Sequence, residues 1–94
     1  MGMIGQRARD TSMEEDERKA RWRSRRGLLE LDLILVPFAE NCFAGLTEPL
    51  RREYLDLLEV DDVDAYIWLV SSERAPKRYQ DIVNVIKQFK SSEG

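Results

Sequence analysis

The fold is decided by the stretch LLELDLILVPFAENCF, residues 28–43, where apolar residues recur with the period of an α-helix. At about 100° per residue, one set of apolar residues spaced three or four apart falls on a single face. This set is Leu28, Leu31, Leu35, Phe38 and Cys42, and Leu29, Val36 and Phe43 widen the face. Pro37 lies inside the run and should bend the helix or leave a backbone carbonyl without its donor. The stretch therefore predicts the central helix of a helical core.

A second helical pattern precedes this stretch. The run MEEDERKARWRSR, residues 13–25, consists largely of strong helix formers, with acidic residues first and basic residues last. Ser12 and Glu15 fit a capping box at its start. Gly27 is expected to end this helix or to act as its hinge.

Three more helices are predicted after residue 43. Thr47 is expected to cap one, Asp61 or Asp62 the next, and Pro76 to open the last. Their expected inward residues are Leu50, Tyr54, Leu57 and Leu58, then Val63, Tyr66, Ile67 and Val70, then Tyr79, Ile82, Val83, Ile86 and Phe89. No segment alternates with period two for long. We therefore predict an all-α fold, a compact bundle of five short helices, with a flexible arm over residues 1–12 and a single helical domain over residues 13–94.

Charge is distributed unevenly along the 94 residues, although the net charge is only -3. Six of the nine residues in 18–26, RKARWRSRR, are basic, whereas 53–64, EYLDLLEVDDVD, holds six acidic residues and no basic one. A basic end and an acidic stretch on one small domain favour a charged protein partner over a uniform polyanion.

The composition argues against most catalytic and metal sites. The chain has no histidine, which removes histidine bases, triads and metal ligands, and it has no glycine-rich phosphate loop. Its one cysteine, Cys42, is expected to be a buried, inert thiol. We therefore expect a protein that is not an enzyme.

The sequence also indicates the cellular compartment in which the protein is expected. The longest apolar run, residues 33–39, is far shorter than the roughly 20 residues of a membrane-spanning helix. The acidic residues near the start oppose a transit peptide, which is typically acid-poor. A bacterial-type cytoplasm is the expected location.

The residues around Gly27 have two interpretations. Helical geometry would place Arg26, Glu30, Leu33 and Pro37 on one face, nearly opposite the core. That face is either a solvated surface with an Arg26–Glu30 pair worth about 0.3–0.5 kcal/mol, or a protein-binding site, since Leu33 is apolar. Gly27 either provides a positive φ, or lets a partner's backbone approach, or does both.

Nucleic-acid binding is a third possibility. The stretch KARWRSRR, residues 19–26, surrounds Trp22 with cations that suit phosphates. The net acidic charge and the neighbouring EEDE at 14–17 oppose it, and a tryptophan here is more typical of a core or an interface.

Two blocks carry a resemblance to a known family. The run from Arg26 to Glu30 resembles the Arg-Gly-x-x-Glu motif of the succinate dehydrogenase flavinylation factors, the SdhE/YgfY family. RRGLLELDLILVPFAE, residues 25–40, is similar to that family's motif helix, and LLEVDDVDAYIWL, residues 57–69, resembles its later Leu-Glu-x-x-Asp-x-Asp segment. The resemblance covers about residues 16–90.

The resemblance implies a five-helix bundle that binds the flavoprotein subunit of succinate dehydrogenase, and in some bacteria that of fumarate reductase. Such a factor promotes covalent attachment of FAD to a histidine of that subunit. Since the chain lacks a dinucleotide-binding fold, we expect no tightly bound cofactor, with FAD handled on the partner. We also expect no nucleic acid, no membrane insertion and a monomer. Some members are described as antitoxins, so an antitoxin-type interaction module remains an alternative.

The resemblance also implies a set of partner-binding residues. Arg26 and Glu30 would contact the partner, Gly27 would be the point of close approach, and Asp32 would flank them. Arg25 and Leu33 would belong to the same surface, which Trp22 would extend.

Overall fold

The computed structural model describes residues 14–71 and 73–93, with side chains up to residue 91, and this part is built of helices without a strand. Residues 14–23 form the described part of α1. The later elements are α2 (Leu29–Asn41), a 3₁₀ turn (Phe43–Gly45), α3 (Glu48–Leu57), α4 (Asp62–Leu69) and α5 (Lys77–Glu93). The prediction of an all-α bundle of five short helices is confirmed.

The predicted central helix supplies a large share of the core. Leu31, Leu35 and Phe38 are buried as expected, together with Ile34 and Ala39. The prediction was wrong at one edge of the apolar face, because Leu28 and Leu29 are exposed and Val36 is only partly buried. Period alone marks apolar positions but does not show which of them the neighbouring helices cover, and here α4 and α5 pack against α2.

Aromatic rings occupy the centre of the core. The Tyr54 ring lies 5.2 Å from the ring of Phe38 and 5.8 Å from that of Phe43, and Phe38 meets Phe89 edge-on at 5.5 Å. These contacts join α2, the 3₁₀ turn, α3 and α5. The thiol-bearing Cys42 is partly buried against this core, rather than fully buried as expected.

A buried polar contact attaches α1 to the bundle. The Ser24 hydroxyl donates to the Ala20 carbonyl at 2.5 Å and lies 2.5 Å from the Tyr54 hydroxyl, which is 3.3 Å from the Leu35 carbonyl. Burial raises the pKa of Tyr54, and the Ser24 hydrogen bond and the charge of Arg26 oppose this only in part. The phenol therefore stays protonated and links α1, α2 and α3.

Most of the other helix ends lie close to their predicted positions. Thr47 caps α3, its hydroxyl accepting from the Leu50 N–H at 3.4 Å, and α5 begins directly after Pro76. Asp61 occupies the N-cap of α4 without a side-chain capping bond. The prediction that Val63 faces the core was wrong, because α4 buries Ala65 and Leu69 instead. The predicted capping box at Ser12 and the flexible arm over residues 1–12 lie outside the described residues.

Candidate functional site

The loop that joins α1 to α2, residues 24–28, has a backbone shape that requires glycine. α1 ends at residue 23, before the predicted end, and buried Ser24 anchors the loop. Gly27 has φ +83°, a region that side chains other than glycine enter at a cost. Apart from its two chain neighbours, no described residue has an atom within 4 Å of a Cβ built there, so the space above Gly27 is open. The positive φ expected of Gly27 is confirmed.

The Arg26 side chain is used inside the protein. Its Nε donates to Asp62 Oδ1 at 2.7 Å, and its terminal nitrogens donate to the carbonyls of Leu58 and Val60, the latter at 2.6 Å. The side chain is only 12% exposed. Arg26 therefore fastens the α1–α2 loop to the turn between α3 and α4.

The predicted pairing of Arg26 with Glu30 was wrong. It assumed that Arg26 belongs to the same helix as Glu30, whereas α2 begins at Leu29, preceded by an extended Leu28 and by Gly27 with positive φ. The Arg26 guanidinium therefore points towards Asp62 rather than one turn along α2. Arg26 also does not lie on one helix face with Leu33 and Pro37, as predicted, because it precedes α2.

Two further contacts hold the loop in place. The Arg26 backbone N–H donates to Asp32 Oδ1 at 2.7 Å, so Asp32 uses one carboxylate oxygen internally. The Arg23 guanidinium pairs with the Glu59 carboxylate in the α3–α4 turn. Part of the basic stretch 18–26 thus neutralises part of the acidic stretch 53–64.

Glu30 is exposed in the first turn of α2 and interacts with Tyr66 of α4. The hydrogen bond between the two side chains, and then the negative charge of Glu30, raise the pKa of the Tyr66 hydroxyl. An acid in the first turn of a helix is also favoured by the helix dipole. Glu30 is therefore a carboxylate held near Tyr66 and accessible from solvent.

Exposed apolar side chains concentrate around this loop. Among the described residues, four of the five large exposed hydrophobic side chains lie between positions 22 and 33: Trp22 (78% exposed), Leu28, Leu29 (71%) and Leu33 (66%). The fifth is Val63 (68%), which directly follows the Asp62 that pairs with Arg26. Apolar surface clustered in this way is typical of a protein-binding site.

Pro37 adds a polar acceptor to the same side of α2. Because proline has no N–H, the carbonyl of Leu33, four residues earlier, lacks its usual helical donor. We call the surface formed by Gly27, Leu29, Glu30 and Leu33 the motif face. It presents a carboxylate, two apolar side chains and the bare backbone of a glycine.

The structure divides the six predicted site residues into two groups. Arg25, Gly27, Glu30 and Leu33 are exposed, whereas Arg26 and Asp32 are partly buried and make internal hydrogen bonds. Sequence reasoning missed Tyr66, which no local pattern connects to Glu30, and assigned Val63 to the core. It singled out Trp22, whose exposure now excludes a place in the core.

Other kinds of site find little support. Within residues 14–71 and 73–93, no group of three or more Asp, Glu, Cys or His side chains is arranged to hold a metal ion. No helix in this part of the chain is both long and apolar enough to cross a bilayer.

Comparison with known proteins assigns the family. The sequence profile of the family described as flavinator of succinate dehydrogenase matches residues 18–90. The chain belongs to this family. The family resemblance inferred from the Arg-Gly-x-x-Glu motif is thereby confirmed, and the matched range contains all six predicted site residues.

Curated relatives within the same family come from several bacteria. The chain is 43% identical over 61 residues to the FAD assembly factor SdhE of Vibrio vulnificus strain CMCP6, covering 65% of this chain and 71% of that protein. It is 34% identical over 73 residues to the FAD assembly factor SdhE of Francisella tularensis strain SCHU S4, covering 77% of each. The protein of the same name from Pseudomonas putida strain KT2440 is 39% identical over 66 residues, or 69% of this chain and 79% of that protein.

Proposed function

We propose that this protein is an assembly factor that binds the flavoprotein subunit of succinate dehydrogenase and promotes covalent attachment of FAD to it. Family membership over residues 18–90 supports this role. The single structural observation that carries it is the motif face, where exposed Leu29 and Leu33 flank Glu30 beside an open glycine. Apolar side chains around one oriented charge are the usual composition of a protein-binding hot spot.

In this proposal the residues of the family motif have different tasks. Gly27 lets the partner's backbone come close, and Glu30 accepts a hydrogen bond or a cation from it. Arg26 supports the loop rather than contacting the partner, because its side chain donates hydrogen bonds to Asp62 and to two backbone carbonyls. A loop fastened in this way loses little conformational entropy on binding, which favours affinity.

The protein's contribution to flavinylation would be conformational. The chain contains no histidine, so a histidine that accepts the flavin must belong to the partner. A rigid surface that grips the flavoprotein can hold that histidine and the flavin methyl group in reactive geometry, which lowers the entropic part of the barrier. We propose that the protein is itself non-catalytic and holds no tightly bound cofactor. Its action as a monomer in a bacterial cytoplasm stays a prediction, in line with the bacterial relatives.

Reconstitution tests the proposal. The purified flavoprotein subunit of a bacterial succinate dehydrogenase, prepared without covalent flavin, would be incubated with FAD with and without this protein. We expect a complex by size-exclusion chromatography and faster appearance of flavin fluorescence that survives denaturing electrophoresis. Equal rates with and without the protein, and no complex at micromolar concentration, would contradict the proposed function.

A further inference from the structure

A shallow groove lies between α1 and α2. Of the six predicted contact residues, only Arg25 lines it. The groove encloses about 230 Å³ and is lined by Arg18, Arg21, Trp22, Arg25, Val36 and Glu40. Arg18, Arg21 and Trp22 lie on α1, and Arg25 lies in the loop that follows. Val36 and Glu40 lie on α2. We call it the arginine groove.

The three arginines of the groove carry charge that the fold does not use. Arg23 and Arg26, from the same basic stretch, form ion pairs with Glu59 and Asp62. The side chains of Arg18, Arg21 and Arg25 form no hydrogen bond or ion pair among the described residues, and all three are exposed. In the lining of the groove, three guanidinium groups thus face one carboxylate, that of Glu40. A ligand that brings carboxylates would correct this imbalance.

The exposed indole of Trp22 indicates that the ligand also carries an apolar side chain. Trp22 is the most exposed large hydrophobic side chain among the described residues, at 78%. Tryptophan and arginine are the residues most enriched in the energetically dominant part of protein interfaces, where the indole supplies a large apolar surface. The groove therefore combines a surface for an apolar side chain with donors for carboxylates.

We propose that the arginine groove binds an acidic segment of the partner flavoprotein, with carboxylates on the arginines and an apolar side chain on Trp22. This inference rests on the proposed function. Its support is charge complementarity together with continuity, because Leu29, Leu33, Val36 and Glu40 follow one another at helical spacing along one side of α2. A partner seated on the motif face reaches the groove along that stripe.

A nucleic acid fits the groove less well. Acidic residues at 14–17 precede the arginines on α1, and Glu40 lies among them. A phosphate backbone carries continuous negative charge and would meet these carboxylates, whereas a peptide can place its few carboxylates on the arginines alone.

The test compares two triple variants that remove the same charge. The groove variant is Arg18→Gln, Arg21→Gln, Arg25→Gln, and the control is Arg74→Gln, Lys77→Gln, Lys90→Gln, all exposed cations elsewhere. The Kd for the purified flavoprotein subunit would be measured by isothermal calorimetry between about 50 and 300 mM salt. We expect the groove variant to bind about tenfold more weakly at low salt and to lose most of its salt dependence, while the control changes less than about threefold.

A second variant examines the indole. Trp22→Ala should weaken binding about tenfold or more, and Trp22→Phe should restore most of it, because a ring still covers the apolar side chain. Thermal unfolding of both should match the unsubstituted protein, since the indole is exposed.

The other outcomes would each overturn the inference. If Glu30→Ala abolishes binding while the groove variant behaves like the control, the groove has no part in it and the proposed function stands. If binding occurs and neither change affects it, both the groove and Glu30 lose their assigned roles while the proposed function stands. If the unsubstituted protein shows no binding, the proposed function fails as well. Submicromolar binding to a 20-base-pair duplex that the groove variant loses would identify a nucleic acid as the ligand. A dimer in light scattering that the groove variant dissociates would identify a second copy of this chain.

Discussion

The Arg26 guanidinium donates to Asp62 Oδ1 at 2.7 Å and so joins the loop before α2 to the first turn of α4. The same group donates to the carbonyl of Leu58, the C-cap of α3, where helix carbonyls carry partial negative charge, and to that of Val60 in the turn that follows. One arginine thus bonds both the C-cap of α3 and the side chain of the first residue of α4. In a motif expected to contact a partner, this residue is a support for the residues beside it.

Arg26→Ala should lower the free energy of unfolding by about 2 kcal/mol, because it removes charge-assisted hydrogen bonds and leaves two carbonyls without this donor. Arg26→Lys should recover less than half, since an ammonium cannot reach three acceptors in this geometry. Arg25→Ala is the matched control and should change stability by no more than about 0.5 kcal/mol, because Arg25 is exposed. Urea unfolding followed by circular dichroism measures all three. An Arg26→Ala protein of normal stability that fails to bind the flavoprotein would make Arg26 a direct contact.

Glu30→Ala should leave stability within about 0.5 kcal/mol of the unsubstituted protein, because the carboxylate is exposed. Binding of the flavoprotein and covalent flavin in that subunit should both fall at least tenfold, as expected for a central charged contact. Glu73→Ala is the control, an exposed glutamate in the loop before α5. Circular dichroism and flavin fluorescence in denaturing gels report the two properties separately. An unfolded Glu30→Ala protein would assign Glu30 a structural role.

Tyr54→Phe should lower the free energy of unfolding by about 1 kcal/mol near neutral pH, through loss of the contact with the Ser24 hydroxyl. Ring packing against Phe38 and Phe43 would remain, so the fold should be retained. Ser24→Ala should have a similar effect, and the double variant should cost less than the sum of the two, because both changes remove one contact. Additive losses would show that the two hydroxyls do not stabilise each other.

Alkaline pH should destabilise the protein through the same tyrosine. Burial raises the pKa of folded Tyr54 above its ordinary value of 10.0, whereas the unfolded residue ionises near that value. Below pH 10 both states hold the proton and stability is unaffected. Above pH 10 only the unfolded state releases it, so stability falls as pH rises. Urea unfolding at pH 9 and pH 11 should show a larger decline for the unsubstituted protein than for Tyr54→Phe, and equal declines would contradict this assignment.

The helical period predicted several core positions of α2 but not which side of the helix the neighbouring helices pack against. Leu31, Leu35 and Phe38 followed from spacing alone, whereas the choice between Ile34 and Leu29 depended on where other helices pack. Val63 was misplaced because α4 has only eight residues, too few for the period to mark one face clearly.

The internal contacts of the predicted site residues did not follow from local spacing. Local spacing suggested an Arg26–Glu30 pair, yet Arg26 pairs with Asp62, 36 positions away. Such a contact arises only once α3 and α4 bring the acidic stretch beside the loop. Long-range ion pairs also distinguish Arg23 and Arg26, which pair with acidic residues of the fold, from the arginines of the groove. Composition alone does not show this difference.

Gly27→Asn separates the two roles of the motif glycine. The positive φ of Gly27 is tolerated better by asparagine than by other side chains, so the variant should fold and lose about 1 kcal/mol of stability or less. The added side chain would project into the open space above the loop, where, among the described residues other than its two chain neighbours, no atom lies within 4 Å of the Cβ. If the partner's backbone occupies that space, binding of the flavoprotein and covalent flavin should be lost despite normal folding.

The matched control for this change is Gly45→Asn. Gly45 ends the 3₁₀ turn, a Cβ there would also meet no atom within 4 Å, and its φ lies outside the left-handed region. The control should therefore fold and bind like the unsubstituted protein. Thermal unfolding and calorimetry on the two variants give the comparison directly. Full binding by a folded Gly27→Asn protein would leave Gly27 with a backbone role alone, since a partner that tolerates asparagine there does not approach the loop. In that case Glu30, Leu29 and Leu33 would carry the contact, and the Glu30→Ala protein should still fail to bind.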